Sequence, residues 1–334
     1  MRTHSTISID EATELCNRAL AAVGTLETNA SIVSNALVRG EIDGHIGHGL
    51  SRLPSYVAQV RTGKINGRAI PTLEDVKPGL IRVNAGFGFA YPAIQVTLPE
   101  LENRARKTGI AAAAIYHSHH FGVAGHPCED LARRGLISFV YGNSPKAIAP
   151  TGSKEKVLGT NPIAFGAPLD GDPLIIDFAV STVARGKILA ARQQGQPIPD
   201  GWAIGPDGKP TTDPEIALQG SMLPIGGAKG AALALLVEVM SACLAGAALG
   251  VEASSLYEAQ GPSPDLGQVI LAIDGAALSG SAFSNRLKTL ADVYQELDGA
   301  RFPGLSRLEN RKKAAQHGLI VPAVLDREIR ALAR

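Results

Sequence analysis

His48 sits in the run Asp43-Gly-His-Ile-Gly-His48-Gly-Leu-Ser-Arg52, with a glycine on either side of it. An imidazole titrates near neutrality, so it can give a proton to a developing oxyanion or amide anion and take it back in the reverse reaction. The flanking glycines keep the backbone approachable and let the ring face a cleft. If a helix begins by His48, the Arg52 side chain four residues later shares its face, and a guanidinium there can hold a carboxylate by two parallel hydrogen bonds. The same spacing describes a helix-capping histidine beside a solvated arginine, and spacing alone does not choose.

Three further runs could carry chemistry. His117-Ser-His119-His120-Phe-Gly-Val-Ala-Gly-His126 follows a strand-like stretch and places His117 and His119 on one side of an extended chain. Four histidines in ten residues suggest a metal, but no H-E-x-x-H and no cysteine pair accompanies them, so no metal ligand is assigned. The small-residue turn within that run is also suited to backbone contact with phosphate, or to being a turn and nothing more. Asp177 interrupts the apolar stretch Ile175-Ile-Asp-Phe178, where a carboxylate needs a partner or a shifted pKa. It could orient an imidazole or cap the next segment. Pro224-Ile-Gly-Gly-Ala-Lys229-Gly230 puts glycines and a cation where a helix starts, which suits an anion but equally suits close packing.

These residues need elements to hold them. Ser8 with Glu11 has capping-box spacing and opens a helix whose apolar positions recur to Gly24. A second periodic run with Ile32, Val33, Ala36 and Leu37 reaches toward Gly44, and a third runs from about Leu50 to Gly63, so the first sixty residues read as helical. Short β-branched stretches follow at 80–83, 110–116, 136–141, 163–165 and 174–178. The stretch 192–220 is dense in Pro, Gly and Asp and reads as a surface excursion with turns at Asp200-Gly201 and Asp207-Gly208. An apolar helix from about Lys229, read as buried core over 231–249, precedes a strand at 269–273 and helices near 285–297 and 322–332.

Composition excludes several classes. With 32 basic and 31 acidic residues and no charge blocks, there is no footprint for nucleic acid or an acidic membrane. The three widely spaced cysteines, Cys16, Cys128 and Cys243, argue against a disulfide framework and fit a reducing cytoplasm. The first fifteen residues lack the layout of an export signal. Neither G-x-G-x-x-G after a strand nor G-x-x-x-x-G-K-[ST] occurs, so the sequence gives no Rossmann or P-loop signature.

Taken together, the segments resemble the type 2 malate/L-lactate dehydrogenase family, whose relatives include sulfolactate, ureidoglycolate and diketogulonate dehydrogenases and piperideine/pyrroline-2-carboxylate reductases. The resemblance rests on His48-Gly-x-x-Arg52, SHHFG at 118–122, NSP at 143–145, GTNPIAFGAP at 159–168, IDFAVSTVARGKI at 176–188, GWAIGPDGKPTTDP at 201–214 and GGAKG at 226–230. It implies an α/β fold other than Rossmann: a helical, dimer-forming domain from residues 1–75 and 285–334, and a cofactor domain over 76–284 around a largely antiparallel sheet. It also implies NAD or NADP as cofactor, a small carboxylic acid as substrate and a homodimer. By the same resemblance His48 is the proton donor, Arg52 and Thr160 contact the substrate carboxylate, and Asp177 is the acidic group beside histidine and cofactor. His120, Phe121, Gly122, Val123, Ala124, Asp177, Phe178, Ala179, Lys229, Gly304 and Arg307 match segments that line the dinucleotide.

Two departures stand out. The family commonly has a serine relay immediately before the histidine, where this chain has Gly47, so the proton must travel by water, Asp177 or another group. After Pro303-Gly304 the family often has a charged residue where this chain has Leu305 and Ser306, leaving Arg307, Arg311 or Lys312 to reach a 2′-phosphate and the choice of NAD or NADP open. The leading expectation is interconversion of a 2-hydroxy and a 2-oxo acid. The alternative is reduction of a cyclic 2-imino acid, whose protonated form makes less demand on a proton donor. A histidine-rich metal hydrolase and a nucleotide binder without turnover are the remaining readings.

Overall fold

The structure, a computed structural model, describes residues 3–334. Its centre is a seven-stranded sheet in the order Thr72–Lys77, Leu80–Asn84, Ile110–Ser118, Leu266–Ile273, Ile137–Gly142, Ile163–Ala167 and Leu174–Phe178. All neighbours run antiparallel except Leu80–Asn84 beside Ile110–Ser118, so the sheet is α/β in company but mostly antiparallel in pairing. The strand Ile110–Ser118 alternates inward Ala111, Ala113 and Ile115 with less buried residues, the period-two signature of a half-covered strand. Those small inward side chains let the helix Ala90–Thr108 lie close; it ends where Gly109 turns left-handed (φ 81°) and donates its N–H to Ala105 O. The helix Gly125–Arg133 covers the same core further along, against Ala164 and Ile175.

A second core joins the two ends of the chain. Helices Ile9–Ala21, Glu27–Ile42, Leu53–Arg61 and Ala323–Leu332 pack Val33, Leu37, Leu53, Tyr56 and Ile329 together with Phe89 and Tyr91. Ser8 Oγ accepts the Glu11 N–H at 3.0 Å, as the capping-box spacing predicts. The sequence does not announce the strand His4–Ile7, which pairs antiparallel with Leu319–Pro322. Four residues are too short for a period to register, and only the distant partner makes them a strand.

A third cluster, including Ile148, Val180, Ile198 and Met222, sits under the stretch read as an excursion. That stretch is ordered by a two-residue strand pair, Ala203–Ile204 with Ser221–Met222, and by the helix Pro214–Gln219, whose first N–H groups are capped by Asp213. Gly201 (φ 79°) and Gly208 (φ 84°) make the two expected turns.

The apolar helix departs from expectation. It runs Ala228–Glu238 and continues as a π turn, Val239–Cys243, and only one side is covered. Ala234 and Val237 are buried, whereas Leu235, Leu236, Val239 and Leu244 are 45–59% exposed. A helix apolar all round carries no amphipathic signal to say which side faces out. Among the described residues no helix is long and apolar enough to cross a membrane.

Candidate active site

His48 and Arg52 are not on one regular helix. Two short 3₁₀ turns, Ile46–His48 and Leu50–Arg52, precede the helix Leu53–Arg61. Between them Gly49 passes so close to Glu41 that any β-carbon would overlap its carboxylate, which accepts the Leu50 N–H at 2.9 Å. Glu41 and the tight glycine therefore fix the direction in which the following residues leave the turn. Burial raises the Glu41 pKa.

Nδ1 of His48 lies 2.9 Å from Nε2 of His120. The two rings are parallel to within 10° with centroids 5.0 Å apart, so the bond runs edge to edge. Nδ1 of His120 lies 2.6 Å from the Tyr56 hydroxyl, which in turn lies 3.1 Å from the Tyr91 hydroxyl. Burial, with the Arg52 charge next, lowers the pKa of both imidazoles, and burial raises both phenols, Tyr91 to about 12. At neutral pH the chain is four neutral groups.

The Arg52 guanidinium is buried. Its Nε donates to Gly47 O at 2.9 Å, Nη2 reaches the Tyr257 hydroxyl at 3.5 Å, and the cation stands 4.7 Å above the Tyr257 ring. No carboxylate pairs with it among the described residues. Tyr257 belongs to a loop pinned by Lys64, whose ammonium donates to the carbonyls of Ser255, Glu258 and Gln260 at 2.6, 3.0 and 3.2 Å. Gln59 Nε2 donates to Leu256 O, and its Oε1 accepts the His119 Nε2–H at 2.8 Å.

Thr160 is set by Ser144, whose Oγ accepts its N–H at 2.9 Å and stands 3.2 Å from its hydroxyl. The next residue, Asn161, takes φ 40° and donates to Glu238 Oε2 and Ala234 O. Glu238 also accepts the Gly250 N–H at 2.6 Å. The one carboxylate in the apolar helix thus orders the Thr160 turn and the start of the loop that leads to Tyr257. Thr160 makes no hydrogen bond to His48 or Arg52.

Asp177 is not bonded to His48. Its Oδ2 accepts the Gly125 N–H at 2.7 Å, and burial raises its pKa. The place the sequence offered to Asp177, holding the His48 ring, is taken by His120. His120 through Ala124 are all buried, with Gly122 left-handed (φ 73°) against Tyr91, where a β-carbon would press on the phenol. Phe178 is partly exposed and Ala179 half-buried beside it. Lys229 is exposed at the start of its helix and takes no part in this cluster; next to it, Thr182, Leu223, Gly226 and Gly227 line a cavity of about 390 Å³.

Gly304 (φ 95°) stands at the N-terminus of the helix Leu305–His317 without a side-chain cap. Arg307 is buried one turn on, 3.5 Å from Glu129, with its Nε unpartnered. Arg311 is not free for a phosphate: it bonds Asp43 at 2.6 and 2.7 Å and Glu129 at 2.7 and 2.8 Å. Arg39 and Arg133 complete the shell around Glu129, whose pKa Arg311, Arg307 and Arg133 lower against its burial, and His126 bonds Asp43 at 3.0 Å.

The histidine cluster disperses. His117, left-handed rather than extended (φ 49°), contacts Asn84, while His119, His120 and His126 bond Gln59, Tyr56 and Asp43. Among the described residues no group of three or more His, Cys, Asp or Glu side chains could hold a metal ion. Sequence reasoning missed Tyr56, Tyr91 and Lys64. For Tyr56 a signal exists: it continues the four-residue spacing of His48 and Arg52.

Comparison with known proteins supplies the family. The chain is 45% identical to a (2R)-3-sulfolactate dehydrogenase (NADP(+)) of Chromohalobacter salexigens, over 98% of each. It is 38% identical to a Delta(1)-pyrroline-2-carboxylate/Delta(1)-piperideine-2-carboxylate reductase of Pseudomonas aeruginosa, again over 98% of each. The solved delta1-piperideine-2-carboxylate reductase of Pseudomonas syringae pvar. tomato superposes with a TM-score of 0.93 at 33% identity, covering 98% of this chain and 99% of that one. The family model for malate/L-lactate dehydrogenase matches residues 7–330, and the chain belongs to that family.

Proposed function

We propose that this protein moves a hydride between NADP or NAD and C2 of a small 2-oxo or 2-hydroxy carboxylic acid, of which a sulfolactate-type acid is the first candidate, with His48 as proton donor. One observation carries the reading: a buried guanidinium, Arg52, without a carboxylate partner, beside a neutral imidazole held from behind by another. An uncompensated buried cation is costly, and a substrate carboxylate in front of Arg52 would offset that cost while bringing C2 near His48. Thr160, whose hydroxyl is oriented by Ser144, is the second carboxylate contact proposed.

The residues present fit a dinucleotide. The uncapped N-terminus at Gly304, the orphaned Nε of buried Arg307 and the glycine-bearing turn His120–Ala124 are suited to its phosphates and ring faces. Asp177, Phe178, Ala179 and Lys229 would complete the lining. When bound, the nicotinamide supplies or accepts the hydride at C2. Arg52 orients the acid, the buried aromatic and apolar wall of the turn keeps water out, and His48 gives its Nε2 proton to the oxygen that becomes the hydroxyl. A 2′-phosphate would fall to Arg307 or the exposed Lys312, since Arg311 is bound elsewhere. The missing glycine signature and the antiparallel pairing support a dinucleotide site unlike the Rossmann crossover.

The second reading, reduction of a cyclic 2-imino acid, is favoured by the pyrroline- and piperideine-2-carboxylate reductases among the relatives. It uses the same Arg52 and asks less of His48. Steady-state assays with NADPH and NADH against sulfopyruvate, oxaloacetate, pyruvate and pyrroline-2-carboxylate separate the two. Turnover of none of these acids would overturn both.

We also infer the assembly and layout that go with the family resemblance: a homodimer, and a helical unit from the two chain ends apart from a sheet unit, the expected bounds 1–75 with 285–334 and 76–284 being corrected in that the strand Thr72–Lys77 pairs into the sheet and belongs with it. The core shared by the two chain ends supports the layout. The exposed Leu235, Leu236, Val239 and Leu244 offer apolar surface for a second copy. A solution mass near that of one chain, 34.7 kDa, would refute the dimer.

A further inference from the structure

We propose that Tyr56, backed by Tyr91, positions the proton that His48 delivers: it fixes the tautomer of His120 and, through it, presents Nε2–H of His48 to the substrate. The inference rests on the reduction proposed above.

Hydrogen-bond chemistry sets the direction. Each of the four groups, His48, His120, Tyr56 and Tyr91, is neutral and carries one mobile hydrogen. A chain of such groups can point only one of two ways. Either every hydrogen points toward His48, leaving Nε2–H at the cleft, or every hydrogen points toward Tyr91, leaving a lone pair there. The 2.6 Å contact between Tyr56 and His120 Nδ1 has the length of an O–H donor bond, shorter than is usual for N–H, and an imidazole nitrogen accepts better than a phenol oxygen. The Tyr56 hydrogen therefore goes to His120, not along the 3.1 Å contact to Tyr91, which donates its own hydrogen to Tyr56. His120 is left with hydrogen on Nε2, which it donates to His48 Nδ1 at 2.9 Å. His48 is left with hydrogen on Nε2.

The far end of the chain is closed to competitors. Tyr56 is fully buried, Tyr91 and His120 nearly so, and Phe89 packs its ring edge-on against Tyr56. No carboxylate touches either imidazole to impose the opposite tautomer; Asp177 is bonded to Gly125 instead. Gly47 offers no side chain to His48.

The same chain carries away the charge that the transfer would leave on His48. As Nε2–H leaves for the substrate oxyanion, His48 Nδ1 takes the His120 Nε2 hydrogen and His120 Nδ1 takes the Tyr56 hydrogen. Three bonds to hydrogen break, at His48 Nε2, His120 Nε2 and Tyr56 O; three form, at the substrate oxygen, His48 Nδ1 and His120 Nδ1. The negative charge ends on the Tyr56 oxygen, where the Tyr91 O–H bonds it until a proton from solvent water enters at the bare Nε2 of His48 from the cleft, the two transferred hydrogens move back to His120 Nε2 and the Tyr56 oxygen, and the starting tautomers are restored. An alkoxide is a far stronger base than a solvated phenolate, a margin that the burial of Tyr56 narrows. A substrate that arrives as a protonated imine needs no such transfer.

Two experiments test this. In the wild-type protein, ¹⁵N NMR of the His48 ring is expected to show hydrogen on Nε2 and a bare, accepting Nδ1. In Tyr56→Phe that preference is lost, kcat with a 2-oxo acid falls about 10- to 100-fold, as when a partner orienting a functional imidazole is removed, and the solvent deuterium isotope effect on kcat changes while KM holds. Tyr91→Phe, which keeps the donor to His120, is expected to lose less. A wild-type His48 with hydrogen on Nδ1 overturns the proposal without any variant having to fold. So does a Tyr56→Phe enzyme with unaltered kcat and isotope effect. If the wild type reduces no 2-oxo acid, the proposed reaction fails, and the NMR spectrum still decides the tautomer.

Discussion

His48 and His120 meet edge to edge, Nδ1 to Nε2 at 2.9 Å, beside the side-chain-free Gly47. The nitrogen of His48 that does not face His120, Nε2, is the one free to donate in the proposed reaction. His48→Ala is expected to lower kcat on a 2-oxo acid by roughly 10²- to 10⁴-fold, the range for a general acid, with cofactor affinity nearly intact. Steady-state kinetics with a parallel cofactor titration would check it; near-wild-type kcat would remove His48 from the reaction.

A β-carbon built on Gly47 meets nothing within 4 Å, and its φ is not in the left-handed region. Gly47→Ser should therefore fold with a stability change within about 0.5 kcal/mol. Because His120 already occupies Nδ1, the added hydroxyl should leave kcat within a few-fold of wild type. A large gain in kcat would mean that the chain through His120 is not the working proton path.

Arg52→Lys keeps the charge but loses the planar fork that also spans Gly47 O and the Tyr257 ring. KM for the acid should rise much more than kcat falls. An unchanged KM would move the substrate carboxylate to another residue.

Arg311 joins the turn before His48 to the helix Gly125–Arg133 by bonding both Asp43 and Glu129. Both carboxylates are buried, and Arg311→Ala strips each of a cation. The expected loss is about 3–5 kcal/mol of stability, as for breaking a buried ion pair from one side. Denaturant titration would show it, and a loss well under 1 kcal/mol would mean that Arg39, Arg133 and His126 suffice.

Acid should destabilise the protein well before its carboxylates titrate. Burial lowers the pKa of His119 to about 3, of His126 to about 4 and of His120 further below its ordinary value. The unfolded chain binds these protons near pH 6.5, and the folded one does not, so stability is full above that pH and drains away as pH falls. With His48, whose pKa burial lowers to about 3, four imidazoles amount to roughly 5 kcal/mol between pH 6 and 5. The lowered pKa values of Asp43 and Glu129 add a loss of the same sign at lower pH, and the raised ones of Glu41 and Asp177 partly oppose it. A melting temperature that holds level from pH 7 to 5 would contradict the neutral state of these rings.

Much of this layout is legible in the chain. The capping box at Ser8, the alternating strands and the two Asp-Gly turns depend on neighbours within a few residues, where period and backbone preference speak directly. His48 and Arg52 stand out because glycines isolate them. Tyr56 bonded to Tyr91, and Arg311 to Asp43, join residues 35 and 268 positions apart and leave no local mark. Asp177 shows the limit from the other side: an acid in an apolar strand predicts that a partner exists, and the partner is a backbone N–H at Gly125 rather than the imidazole. The exposed face of Ala228–Glu238 was illegible because nearly every residue on it is apolar.

The pairing of His4–Ile7 with Leu319–Pro322 has a bearing on how the molecule is made. The first strand leaves the ribosome some three hundred residues before its partner, roughly 15–60 s at common elongation rates. Throughout that interval the opening helices, and the turn that carries His48, wait for Leu319–Pro322 and Ala323–Leu332 to close their core, so the surroundings of His48 are completed only after those residues have been made.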